Sequence, residues 1–303
     1  MVGCGAVGSL FAANLSLLDD VEAWAFDLND LHVAAINRDG LWLSGAGDVV
    51  GRPRATSDAA RLPSCDFGIV ATKAMHTEAA IAATAHAFAD GGCVATVQNG
   101  LGNEETIAGH VERVIRGTTF PAGKLLEPGH VQWDVKGDTT FGPYDERMPL
   151  AEVERLADAC TRAGMPAEAV EDARGPQWRK VIFNASTNPI GALTGLTHGR
   201  VCERPDLRAL VTGLVDEGKA VAAAQGIELD ADPEELIDHA AKPEVAYDHK
   251  ASMLQDVEAG RQTEVDYLNG GIVRFGRDGG VPTPLNAAIQ ALVKGVEASW
   301  MQS

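Results

Sequence analysis

The run Gly3-Cys4-Gly5-Ala6-Val7-Gly8 constrains this chain more than any other segment. Glycines spaced G-x-G-x-x-G permit a tight turn, let backbone approach a pyrophosphate, and let the following helix pack on the strand before it. In a chain with 33 glycines among 303 residues, chance alone supplies about 0.4 such matches, so context decides. Ser9–Leu18 continues as an apolar helix, Val21–Phe26 reads as a strand, and Asp27 ends that strand 19 residues after Gly8. An acidic residue at about this distance accepts hydrogen bonds from an adenosine ribose, while helix N–H groups face the phosphates. Only Met1 and Val2 precede Gly3, where a core strand usually has ~5 residues. The first strand is expected to be a stub, or residues upstream lie outside the numbering. Residues 1–18 lack charge, as a signal-peptide core does, but no basic residue precedes them and the first arginine is Arg38. Three glycines and Asn14 also make a poor membrane span.

The rest of the first half alternates between strand and helix. Phe67–Thr72 is a short apolar run of the kind buried in parallel sheets. Helical Thr77–Ala89 follows, then a strand over Cys93–Gln98, a short helix capped by Asn103, and a strand over Glu112–Ile115. This alternation predicts a doubly wound, Rossmann-type α/β sheet. Gly117 to Pro143 suggests additional antiparallel strands, and Leu150–Ala163 a helix ended by Gly164. After about residue 172 strand signals stop, and segments 174–196, 205–225, 246–258, 262–278 and 284–301 read as helices. In the second of these, Leu207, Leu210, Val211 and Leu214 share one face. The expected domains are 1–171, binding a dinucleotide, and 172–303, all-helical and binding substrate, with a cleft between them as the default ligand site.

Charge narrows the function. Asp and Glu number 43 against 25 Lys and Arg, a formal net charge of −18. The excess is spread along the chain, with 12 basic against 23 acidic residues over 1–170 and 13 against 20 beyond. Such a field argues against nucleic acid and anionic membrane surfaces as partners. Five cysteines at long spacings, with no Cys-x-x-Cys, fit free thiols in a reducing compartment such as the cytoplasm. No metal site is expected from the scattered histidines.

Four clusters carry chemistry. Lys180, Asn184 and Asn188 recur at i, i+4, i+8, within an arc of about 80° on a helix. One ammonium flanked by two amides suits an oxygen-rich small molecule, and Asn is a poor helix former to place twice on one face. Pro189 should bend or end the helix there. A second cluster runs from Ser252-Met253-Leu254-Gln255-Asp256 through Gly260 to Thr263-Glu264-Val265-Asp266, and its plain reading is a helix whose first turn holds acids. Lys73 and Gln98-Asn99-Gly100 follow two predicted parallel strands, at the sheet edge where such folds bind ligands.

In order and combination these motifs resemble the ketopantoate reductase family, over Gly3 to about Leu292. The resemblance implies a Rossmann domain joined to a helical domain, and hydride transfer from a reduced nicotinamide, NAD or NADP, to the ketone of 2-dehydropantoate or a related 2-keto acid. It implies Lys180 as the general acid and Glu264 as the residue bridging cofactor and substrate. It gives Asn184, Asn188 and Ser252 to the substrate and sets Asn99 between nicotinamide and substrate. Gly3 to Gly8, Lys73 and the backbone near Gly123 would touch the cofactor. The helical half offers a surface for a homodimer.

Two positions depart from the family's pattern. His198 stands where an additional substrate-binding Asn is usual, which points to a substrate preference differing from 2-dehydropantoate, or to a charge change near pH 6.5 at the site. Asp27 replaces a basic residue and should favour NAD over NADP, with no cation among Leu28, Asn29, Asp30, Leu31 and His32 and Arg38 expected beyond a helix. Two further readings stand beside the leading one: the same chemistry on another ketone or an imine, and a non-catalytic dinucleotide-binding protein.

Overall fold

A computed structural model describes residues 1–300. The chain forms two compact units: Met1–Gln98 with Asn103–Ala173, and Asn99–Gly102 with the chain from Arg174 onward.

The first unit is built on a twisted sheet whose centre is a single residue. Val2 bridges in parallel to Phe26 on one side and Val70 on the other, through Val2 N–H to Ile69 O at 2.8 Å and Gly3 N–H to Phe26 O at 2.9 Å. From Val2 the sheet extends one way through Trp24–Phe26 and Arg54–Thr56. The other way it runs through Phe67–Val70, Cys93–Thr96 and Arg113–Thr119, all parallel. Thr139–Pro143 then adds antiparallel and Ala167–Ala169 closes the edge. The reversal of winding direction at Val2 makes the doubly wound fold and leaves Gly3 at the switch point. The sequence reading places the second strand at Val21–Phe26; only Trp24–Phe26 is paired.

Successive side chains of these strands alternate between two cores. Ile69, Ala95, Ile115 and Phe141 join Leu10, Phe11, Val153 and Leu156 on one face. Val70, Val94 and Val114 join Ile81, Phe88 and Ile107 on the other. Burial on both faces explains why the strands read as continuous apolar runs.

The expected additional strands form a separate sheet in the order Val49–Gly51, Leu41–Gly45, His130–Val135, Ala122–Glu127. The strands at 41–45 and 49–51 are absent from the sequence reading; Leu41 and Leu43 are fully buried while Trp42 between them is exposed, the alternation of a strand with one covered face. The helix Ala6–Leu15 packs against this sheet as well as the main one, so residues Gly8 to Asn14 are all buried. That double burial accounts for its uncharged, signal-peptide-like composition. It lies so close to the strand Val49–Gly51 that a Cβ on Gly51 would meet the Ala13 carbonyl at 2.3 Å.

In the helical unit, Arg174–Thr194 is the central element. Trp178, Val181, Ile182, Ala185 and Ile190 pack with Val211, Leu214 and Val215 of Pro205–Ala224 and with Ile289 and Val293 of Pro284–Trp300. Two predicted helices are shorter than read. Segment 246–258 is helical only as Ser252–Glu258, because the carbonyls of Tyr247 and His249 accept from Gly199 and His198 N–H instead of from their own segment. Segment 262–278 is helical only as Asn269–Asp278, since Glu297 takes both the N–H and the hydroxyl of Thr263. Helices His198–Glu203 and Pro233–Ala240 complete what the reading left out; the helix expected before Arg38 is Asp30–Asp39, and Arg38 lies in its last turn rather than beyond it.

Gly51→Ala is expected to destabilise the protein by about 1–3 kcal/mol, the usual range for overpacking, because the close atoms belong to helix backbone. Thermal or urea unfolding measures it; an unchanged midpoint would show that strand and helix can part without loss.

Candidate functional site

Each glycine of the first motif has its own reason. Gly3 has φ +85°, and a Cβ there would lie 2.5 Å from Thr72 Cγ2. A Cβ on Gly8 would fall 2.0 Å from the Gly3 carbonyl, so the helix seats directly on the turn. Around Gly5, nothing lies within 4 Å of the Cβ position. Gly5 is also the N-cap of Ala6–Leu15, with no side-chain cap and no acid in the first turn. The helix therefore opens with uncapped N–H donors, positive dipole and bare backbone, a combination suited to a pyrophosphate. A dinucleotide fits these residues.

Asp27 is fixed beside this turn. Its Oδ2 accepts from Cys4 N–H at 2.7 Å and its Oδ1 from Asn29 N–H at 2.9 Å. Asn29 caps the next helix by accepting from His32 N–H at 3.2 Å. His32, which the sequence reading named only as supplying no cation, is buried. Its Nδ1 accepts from Gly129 N–H at 3.0 Å, so its Nε2 carries the proton and faces Ser9 Oγ at 3.5 Å. Ser9 Oγ in turn donates to the Cys4 carbonyl at 2.9 Å. Burial lowers the His32 pKa, so it adds no cation near Asp27. Cys4 is fully buried and its thiol is pushed up to about 11 by burial, leaving it inert.

Two more candidates follow strands of the same sheet. Lys73 precedes the short 3₁₀ turn Ala74–His76 and is half-buried. Gln98 is pinned by its amide nitrogen to Thr72 O at 2.9 Å and Thr77 Oγ1 at 2.8 Å. Asn99 falls in the second unit, where Leu101 N–H donates to Tyr267 O at 2.9 Å. Gly100, at φ +89°, leaves no room for a Cβ against Tyr267. Gly123 lies in the second sheet at a register shift opposite Trp133.

In the helical unit, Lys180 is half-buried, and Asn184 and Asn188 are 8% and 7% exposed. Burial is the main force on the Lys180 ammonium and brings it down from the ordinary lysine range to about 8, while the Glu264 carboxylate works the other way. An amine so poised exists in both protonation states near neutral pH, as acid–base chemistry requires. Glu264 is buried at 5% exposure. It stands before the helix Asn269–Asp278, which has no acid in its first turn, so the reading of Glu264 as a first-turn acid is corrected. Ser252 opens Ser252–Glu258 and is exposed.

His198 is buried and donates from Nε2 to Ile237 O at 3.1 Å, with its ring 5.5 Å from that of Phe183. Burial moves its pKa below the ordinary histidine value. The expected charge change near pH 6.5 is therefore displaced to more acidic conditions.

These features agree with what the chain is similar to. The ketopantoate reductase PanE/ApbA family model matches residues 1–146, and its C-terminal counterpart residues 172–297. A 2-dehydropantoate 2-reductase of Archaeoglobus fulgidus is 35% identical, over 98% of this chain and 97% of its own. The crystal structure of a PanE/ApbA family ketopantoate reductase from Ralstonia eutropha JMP134 superposes with a TM-score of 0.89 at 30% identity, covering 98% of this chain and 97% of that one. D-mandelate dehydrogenase with NADH and anilino(oxo)acetate reaches the same TM-score at 28% identity, with coverage of 98% and 97%. The chain belongs to the ketopantoate reductase family.

Proposed function

We propose that this protein reduces the ketone of 2-dehydropantoate, or of a closely related 2-keto acid, with hydride from a reduced nicotinamide dinucleotide. The observation that carries the reading is Lys180: an ammonium drawn down to about 8 by burial, opposed by Glu264, on the helix that bears Asn184 and Asn188. A binding module without chemistry has no need of such a group.

A bound nicotinamide supplies the hydride; the chain's own groups do the rest. As the ketone oxygen gains negative charge, Lys180 Nζ gives it a proton. Glu264 favours the protonated form of the amine until then. Asn184 and Asn188 provide neutral donors and acceptors for the carboxylate and hydroxyl of the substrate, with Ser252 and Asn99 as further partners. The Gly3–Gly8 turn and Lys73 hold the cofactor.

A second reading keeps this chemistry and changes the acid. The likeness to D-mandelate dehydrogenase favours a 2-keto acid with a bulkier, more apolar substituent. A panel of 2-keto acids followed by nicotinamide absorbance separates the two readings, and absence of any turnover with binding intact would leave only a dinucleotide-binding role.

The cofactor is NAD(H) in preference to NADP(H). Asp27 is held at the strand end by two backbone donors, where it meets the ribose hydroxyls and repels a 2′-phosphate. The D-mandelate dehydrogenase structure contains NADH. A repulsion on the order of 1–3 kcal/mol corresponds to roughly 5- to 150-fold in kcat/KM. Equal efficiency with NADPH would overturn the assignment.

Lys180→Ala should lower kcat by ~10²–10⁴-fold with the fold intact. In the unmodified enzyme, kcat/KM for ketone reduction should be level at lower pH and fall above about 8, because the neutral amine has no proton to give. Glu264→Gln removes the charge that raises the Lys180 pKa, so that limb should move to lower pH. A limb that stays in place would remove Glu264 from this role.

Gly5→Ala should leave the stability of the free protein within about 0.5 kcal/mol, since no atom lies near the added methyl, yet weaken dinucleotide binding. Gly8→Ala should lose both, because its methyl meets backbone. Calorimetry with and without NADH reads both outcomes.

A further inference from the structure

Pro189 lies inside the helix Arg174–Thr194, which continues for five residues beyond it. The sequence reading lets the helix bend or end there. Proline has no N–H, so the Ala185 carbonyl one turn earlier loses its helical donor. A buried carbonyl left in that state is costly, and Ala185 is 1% exposed.

Another helix supplies the missing donor. Asn269, the first residue of Asn269–Asp278, donates from Nδ2 to Ala185 O at 2.8 Å. Its second proton goes to Asn286 Oδ1 at 2.9 Å. Asn286 in turn donates from Nδ2 to Glu217 Oε2 at 2.8 Å. The two Glu217 oxygens also accept from Leu285 and Asn286 N–H, at 2.8 and 2.9 Å. Every direction in this chain is forced. The carbonyl at one end and the carboxylate at the other can only accept, so each amide must present its nitrogen toward its end. Both asparagines are fully buried. Asn269 Oδ1 has no hydrogen-bond partner among the described residues, so the amide is held by its donor side alone. Ser186 and Thr187 donate their hydroxyls to Phe183 O at 3.1 and 2.8 Å, contacts of a kind that favour bending of a helix.

Lys180 and Asn184 lie before the interrupted turn and Asn188 lies within it. We infer that Asn269, oriented by Asn286 and Glu217, is a positioning residue: by holding the carbonyl that Pro189 releases, it sets the angle between the turn of Lys180 and Asn184 and the turn of Asn188. The inference rests on the proposed function for its kinetic consequence, and on hydrogen bonding alone for its structural one.

Three variants test it. Asn269→Leu keeps the volume and removes the donor. KM for the 2-keto acid should rise roughly 10- to 100-fold, the scale of a misplacement near 1 Å, while the Kd of NADH read by its fluorescence changes less than about twofold, within the scatter of a remote substitution. Asn269→Asp sets a carboxylate against two acceptors. It should be worse than Asn269→Leu at neutral pH and recover as pH falls, because a protonated carboxyl regains a donor; the leucine variant should show no recovery. Pro189→Ala restores the backbone N–H, so Asn269→Leu should lower Tm less in that background than alone. An active parent enzyme whose keto-acid KM ignores Asn269→Leu overturns the positioning role while the proposed function stands. Additive Tm losses overturn it whether or not any keto acid is reduced. Coupled Tm losses in a protein that reduces no 2-keto acid uphold the helix bend and remove the proposed function instead.

Discussion

A lysine ammonium taken largely out of water, with Glu264 drawing its proton back, is the tension around which the helical unit is arranged. Apolar packing must be dense enough to depress the pKa, yet polar groups must remain on the same helix. The helix Arg174–Thr194 meets both demands by dividing its circumference. Trp178, Val181, Ile182 and Ala185 enter the core, while Lys180, Asn184 and Asn188 carry its polar groups. Gly218 permits the neighbouring helix to come in close, since a Cβ there would stand 2.8 Å from Ile182. Removing water in this way is what brings an amine into the range where it can act as an acid near neutral pH.

The first unit solves a different problem, how to leave a helix start uncapped without destabilising the protein. Donors that would ordinarily meet a Ser or Asp side chain are left open at Gly5, and the turn is held from outside. Asp27 accepts from Cys4 N–H, and Ser9 donates to the Cys4 carbonyl. Both polar groups of one loop residue are thereby fixed, and the neighbouring N–H groups stay available. A cap of the usual kind would occupy the anion's place.

Much of this was legible in the chain because the signals are local. Glycine spacing, the apolar runs Phe67–Val70 and Cys93–Thr96, and the i, i+4, i+8 recurrence of Lys180, Asn184 and Asn188 depend on residues near one another in sequence. What escaped depends on distant partners. The helix through Pro189 survives because of Asn269, 80 positions later. The stretch before Ser252 resists helix because the carbonyls of Tyr247 and His249 serve the start of His198–Glu203. The helix at Asn269 begins late because Glu297 engages Thr263. His198 was legible as a departure from the family's pattern, but its bond to the Ile237 carbonyl was not. One omission had a local signal, the apolar run Leu41, Trp42 and Leu43.

The helix that follows the glycine turn has sheet on both sides. The open donors of its first turn lack protection, while the amide protons of its buried middle, Gly8 to Asn14, reach solvent only when packed layers separate. Hydrogen exchange there reports the most global opening of the unit, whereas the frayed ends of surface helices exchange by small local motions. The glycine turn is thus joined directly to a segment that opens only when packed layers part. A ligand seated on it is coupled to the cooperative unit as a whole, and its binding energy is expressed as resistance of that entire unit to opening.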